Sequence, residues 1–111
     1  MTRRLLGILL LLILLVVVVA GLTWRRAGTE LHSVTLTWNE PPPSAASKVV
    51  GYNVYRKTGD TGYLRIATRV PGLSYVDRMV ISGETYCYVV TAVDQANRES
   101  KFSPKTEVEV P

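Results

Sequence analysis

The chain is poor in the residues that build reactive centres. It holds one cysteine, Cys87, and one histidine, His32, in 111 residues. A lone cysteine excludes an intrachain disulfide and any multi-cysteine metal site. With a single imidazole besides, a zinc centre would have to be made almost wholly of carboxylates. Those carboxylates are scattered: Asp60, Asp77, Asp94 and Glu99 fall in different turns, where such residues ordinarily form turns or carry solvated charge. His32 lies in a polar stretch and reads as a solvated linker residue. There is no glycine-rich phosphate loop, no Gly-x-Ser-x-Gly elbow and no His-Glu-x-x-His pair. The sequence therefore predicts no enzyme, no cofactor, no metal and no small-molecule substrate. It also lacks an Asn-x-Ser/Thr sequon.

A basic face is missing as well, although the formal net charge is +4. Arg3, Arg4, Arg25 and Arg26 against Glu30 account for most of that excess. From Ser33 onward, acidic and basic residues nearly balance. Nucleic-acid binding needs an excess of cations to neutralise phosphates, so it is excluded as a function.

The sequence is rich in one thing at its start. Leu5–Leu22 carries no charged residue and would make about 27 Å of helix, close to the ~30 Å hydrocarbon core of a bilayer. A domain this small has no core able to surround a helix that is apolar on every side. A transmembrane helix is thus expected over 5–24, after a basic flank at 1–4. Trp24, Arg25 and Arg26 provide an interfacial belt and snorkelling cations. A polar tether follows over 25–32. Two fates of the segment stay open: a retained signal anchor, or a signal peptide cleaved after Val18-Val19-Ala20. With two arginines on each side, the free N-terminal amine tips the anchor toward a cytoplasmic N-terminus.

From Ser33 the pattern changes to short strands between turns. Gly83–Val93 organises them: Tyr86, Tyr88, Val90 and Ala92 alternate with Cys87, Val89, Thr91 and Val93, the period of a central strand. Both faces are apolar, so the outer one is expected to be partly wet. Val34–Trp38 alternates too, and Pro41-Pro42-Pro43 stops it. Gly51–Lys57 follows with Tyr52 and Val54 inward. The turn Thr58–Gly62 leads to a hairpin partner over Tyr63–Thr68. Leu73–Asp77 and Thr106–Val110 complete the set, with Asp77 capping a turn, Val80 plugging the core, and Val108 and Val110 inward. Six or seven strands with turns every 8–12 residues predict an all-β sandwich.

Four stretches make 33–111 resemble a fibronectin type III domain of the bacterial extracellular type. Trp38 stands where that family has its core tryptophan. Gly51-Tyr52-Asn53-Val54-Tyr55-Arg56 is similar to its third strand. Tyr75-Val76-Asp77, with Val80 and Gly83, is similar to its fifth strand and the following loop. Tyr86–Val93 resembles its sixth strand, with Tyr86 as the corner tyrosine. The resemblance implies an immunoglobulin-like sandwich of six to seven antiparallel strands, with Trp38, Tyr52, Val54, Tyr86, Tyr88 and Val90 in its core. An immunoglobulin domain proper would place a cysteine two residues after the corner tyrosine, where this chain has Tyr88. The family's first strand is weak here, since Thr29–Ser33 hardly alternates, which predicts an exposed sheet edge. The Arg-Gly-Asp tripeptide is absent.

Such a module binds or spaces. The expected partner surfaces are the loops Pro41–Lys48, Thr58–Gly62 and Asp94–Ser100 and an open sheet edge. Tyr55, Tyr63, Asn97 and Arg98 are the candidate contact residues. Cys87 is either an apolar filler half covered by neighbours such as Tyr55 or a reactive thiol. Two settings follow: a single-pass anchored module outside the cytoplasm, meeting a protein or glycan, or a released secreted or periplasmic module accessory to an envelope or carbohydrate-active complex.

Overall fold

The computed structural model describes residues 14–19, 32–41 and 48–111. Seven strands run in chain order: β1 Leu14–Val19, β2 Ser33–Trp38, β3 Val49–Thr58, β4 Leu64–Val70, β5 Ser74–Asp77, β6 Thr85–Asp94 and β7 Thr106–Glu109. They form two antiparallel sheets, β1-β2-β5 and β4-β3-β6-β7. All described elements are β, and the two sheets face one another across a shared core.

That core follows from alternation. In β2, Val34, Leu36 and Trp38 are buried while Ser33, Thr35 and Thr37 are half-buried. Across from them lie Tyr52 and Val54 of β3, Tyr86, Tyr88, Val90 and Ala92 of β6, and Val108 and Val110. Trp38 meets Tyr52 with ring centroids 5.4 Å apart and planes at 58°, a tilted geometry that aromatic quadrupoles favour. Burying each Val or Leu here contributes about 1.5–3 kcal/mol of transfer free energy. Val80 packs against the cluster from the loop after β5.

Strand β6 is buried on both faces: Cys87, Val89, Thr91 and Val93 are as covered as their inward neighbours. This differs from the partly wet outer face expected of it. The 99–103 segment folds back along the edge of β6 and brings Glu99 to Thr91 and Phe102 to Tyr55 on the outer face. Ser100 N–H donates to Ala92 O and Ser103 N–H to Val90 O, while the Ser103 and Ser100 hydroxyls accept from the Val90 and Ala92 amides. The sequence signal for this was weak, because 99–103 has no strand periodicity.

The first sheet edge also differs from expectation. The slot beside β2 is filled by Leu14–Val19, paired from Leu14↔Trp38 to Val19↔Ser33, not left open by a weak strand at Thr29–Ser33. Six successive β-branched or leucine residues suit a strand as well as a helix once a sheet edge is there to receive them. Among the described residues no helix is long and apolar enough to cross a membrane. The rest of the helix expected over 5–24 lies outside the described residues, as do the flank 1–4 and most of the tether. His32, expected in solvent, is buried at the start of β2.

The strands' ends define two poles. At the first are Trp38, whose amide donates to Leu73 O, and Val49 opposite Asp94. The loop 94–100 lies there too. At the second are Ser33, the turn 58–62, the loop 78–84 and Val110, whose carbonyl accepts from Gly83 N–H. Gly83 has φ of 86°, a conformation that glycine alone adopts at little cost.

Candidate functional site

The outer face of the β4-β3-β6-β7 sheet gathers the polar and aromatic side chains that the core does not use. Alternation along β3 puts Asn53, Tyr55 and Lys57 on this face, and the same rule puts Thr91 there from β6. The segment after the 94–98 turn brings Glu99 and Phe102 over it.

Glu99 is the hub. Its Oε2 accepts from Asn53 Nδ2 at 2.8 Å, from Thr91 Oγ1 at 2.8 Å and from the Tyr55 hydroxyl. Partial desolvation acts to raise the Glu99 pKa. The three donors and the nearby positive charge of Arg65 outweigh it and hold the carboxyl below its usual value. Burial and the bond to Glu99 push the Tyr55 hydroxyl up. Asn53 Oδ1 in turn accepts from the Arg69 amide at 2.9 Å, and Arg69 Nη1 reaches Asn97 Oδ1 at 3.4 Å. One hydrogen-bonded line therefore runs from the first-pole loop to Tyr55.

An aromatic row continues it. Tyr55 and Phe102 have centroids 5.1 Å apart, Phe102 and Tyr63 5.2 Å, and Lys57 Nζ sits 5.4 Å from the Tyr63 ring centre. Phe102 is 47% exposed, and Tyr55 and Tyr63 are half-buried. Cys87, directly opposite Lys57 on β6, is a free buried thiol on the same face of the sheet.

The structure thus brings Tyr55 and Tyr63 together through Phe102, which the sequence reading did not single out. Asn97 and Arg98 lie in the turn, Asn97 joined to the row only through Arg69 and Asn53. Asn97 adopts φ of 65° there. Arg98 Nε donates to Asp94 Oδ2 at 3.0 Å, and the Asp94 Oδ1 accepts from the amides of Ala96 and Arg98 at 3.0 and 2.8 Å. Burial opposes ionisation of Asp94, but these bonds and the Arg98 charge bring its pKa below the ordinary value. Asp94 is a buried turn organiser, not a solvated charge.

Asp77 is also buried. It accepts from Arg56 Nη1 at 3.1 and 2.9 Å, from Tyr88 at 2.6 Å and from the Met79 amide at 3.0 Å. This network is structural, and Arg56 also lies 5.4 Å from the Tyr86 ring centre. Two more features complete the picture. Ile81 N–H donates to the Tyr86 hydroxyl at 2.9 Å, the bond of a tyrosine corner. A groove at the first pole is lined by Glu40, Tyr52, Pro71 and Leu73 among others; burial first, then the Glu40 charge, raises the Tyr52 hydroxyl. Among the described residues no group of three or more His, Cys, Asp or Glu could hold a metal. The expected binding loop Pro41–Lys48 lies mostly outside the described residues.

The comparisons with known proteins bear on this arrangement. No family model matches the chain. A crystal structure of an Fn3-like protein from Clostridium thermocellum is 35% identical, covers 71% of this chain and 77% of that one, and superposes with a TM-score of 0.60. The chain belongs to the fibronectin type III-like (Fn3) family. A human cardiac titin module, 21% identical with a TM-score of 0.61 over 69% of this chain and 77% of that one, shares the fold. Among curated proteins, the amylopullulanase of Thermoanaerobacter thermohydrosulfuricus is 41% identical over 75 residues. That of Thermoanaerobacterium saccharolyticum is 35% identical over 74 residues. The matches take in 67% and 66% of this chain but only 5% of either enzyme. This Fn3 chain is therefore similar to one small part of those enzymes.

Proposed function

We propose that the chain is a non-catalytic Fn3 module held at a membrane by Leu5–Leu22. In this reading the N-terminus is cytoplasmic and the module lies outside, where it binds or spaces a protein or glycan partner. The observation that carries the binding part is the Tyr55–Phe102–Tyr63 row. It is a partly exposed aromatic surface joined to a carboxylate already oriented by three donors, so little side-chain ordering is left to be lost on contact. Catalysis would need a nucleophile beside a base in a pocket, and the described carboxylates serve turns and cross-strand networks instead.

Anchoring makes a demand on the sandwich. Residues 5–13 alone would make only about 14 Å of helix, too short for the bilayer core. Insertion of Leu5–Leu22 therefore requires β1 to leave the edge of β2, since Leu14–Val19 cannot serve in both places. The test is the intact mass of native protein from membrane and soluble fractions, with external protease applied to whole cells. A full-length mass in membranes only, and a module cut from outside, is the expected result. A soluble product beginning near Gly21 would remove the anchor.

A second reading is favoured by the amylopullulanase similarity: a released module, accessory to a glycan-active complex outside the cytoplasm. It shares the interaction face and differs in having no tether.

A further inference from the structure

The most exposed large apolar side chains of the described residues are not spread evenly. Met79 is 77% exposed, Leu64 68% and Ile81 64%. All three belong to the second pole: Met79 and Ile81 lie in the loop after β5, and Leu64 opens β4 opposite Arg56. Arg56 joins them, since its backbone pairs with Leu64 while its Nη1 donates to Met79 O at 3.3 Å. Arg78 is exposed beside them. The Met79, Ile81 and Leu64 side chains do not fill the core, and Arg56 is the side chain among these that holds the loop. The loop is held also by the Asp77–Met79 and Ile81–Tyr86 bonds.

The same pole is where the apolar segment is attached. Val19 and Ser33 are paired there. Should β1 withdraw, the chain still enters the module at His32–Ser33, on this pole. With β1 withdrawn, Trp24 lies eight residues from His32, within about 29 Å of chain. Tryptophan and the arginines that follow it are residues of the membrane interface, where an aromatic ring and a snorkelling cation are both satisfied.

We infer that the second pole is a lipid-contacting surface, with Met79, Ile81 and Leu64 dipping into the interface of the bilayer to which the chain is tethered. This rests on the anchored reading and adds an orientation to it. The pole's exposed charges, Arg65 and Arg78 against Asp60, Glu84 and Glu109, give it no cationic excess. Contact is therefore driven by apolar burial and the tether, not by anionic headgroups. The module stands upright, with the loop 94–100 farthest from the lipid and the Tyr55–Phe102–Tyr63 row facing sideways.

The test uses the full chain in phosphatidylcholine nanodiscs carrying a headgroup nitroxide. Methyl resonances would be followed for Met79 and Ile81 at one pole, and for Val50 and Leu73 at the other. The inference expects strong broadening of Met79 and Ile81 with Val50 and Leu73 sharp, unchanged by adding anionic lipid. The double variant M79S/I81S, altering only exposed side chains, should stay in the discs and melt normally while its Leu64 methyls sharpen. Equal broadening at both poles, or broadening of Val50 and Leu73 alone, overturns the inference and leaves the anchor standing. A chain that does not co-elute with discs removes the anchor and the inference together.

Discussion

The Tyr88 hydroxyl donates to Asp77 Oδ2 at 2.6 Å, tying β6 in one sheet to β5 in the other. Tyr88 is fully buried and Asp77 is 2% exposed, so this bond lies in the interior. Arg56 closes the unit from β3 with an ion pair at 2.9 Å. Desolvation and the adjoining carboxylate push the tyrosine pKa far up, which keeps the phenol a donor at every physiological pH.

Removing the phenol oxygen tests that link. Tyr88→Phe should destabilise the module by about 1.5–3 kcal/mol, the range for a hydrogen bond to a charged group. Asp77→Ala should cost more, about 3–5 kcal/mol, because Arg56 and the Tyr88 hydroxyl both lose their partner. Urea denaturation of the two variants checks the order. Equal, small losses would show that the network is not structural.

The strands and their faces were legible because burial imposes a period of two. Val34, Leu36 and Trp38, and Tyr86, Tyr88 and Val90, announce themselves. Tyr55 and Tyr63 could likewise be placed on an outer face by counting from inward neighbours. What joins them could not, since Phe102 lies in a segment without periodicity and reaches the face only through backbone bonds to β6. Asp77 and Asp94 were legible as turn formers, but their burial was not, because their other partners come from distant strands or from backbone amides. Leu14–Val19 was ambiguous for a different reason: an uninterrupted apolar run satisfies a bilayer and a sheet edge alike.

Acid stability should turn on two carboxyls. Glu99 and Asp94 both have pKa values below the ordinary range in the folded chain. A depressed folded pKa gives stability that is fully present above the unfolded value, about 3.9 for Asp and 4.3 for Glu, and lost as pH falls through the folded one. The melting temperature is therefore expected to be level near neutrality and to fall below about pH 4. Glu99→Gln should soften that fall. At the other end Tyr88, Tyr55 and Tyr52 have raised values. Their contribution is intact below the unfolded tyrosine pKa and is lost as pH rises past about 10.

Gly51 is the glycine whose replacement should be felt most. A Cβ there would lie 3.0 Å from Arg69 Cα and 3.1 Å from its carbonyl carbon, backbone atoms that cannot swing aside. The same spot carries the β3–β4 irregularity, with Arg69 at φ of 50° and its amide bonded to Asn53. Gly51→Ala should destabilise by about 1–3 kcal/mol, as overpacking does. Hydrogen exchange should show the Arg69 amide losing protection first.

Cys87 tests whether the aromatic row covers the face it shares. The thiol is buried and free, with Lys57 opposite and the Tyr63 ring nearby. A thiolate forms and is attacked only where reagent and water can reach it. The native protein should therefore react with an aromatic disulfide reagent no faster than it opens, while urea-unfolded protein reacts at once. Phe102→Ala removes the ring that bridges Tyr55 and Tyr63 without touching the inter-sheet core. It should speed the native reaction by about tenfold or more, an opening cost of some 1.4 kcal/mol removed, and lower stability by less than a core truncation does. If native Cys87 reacts as fast as unfolded protein, the row does not cover it, and the thiol is open to mixed disulfides wherever an oxidant is present.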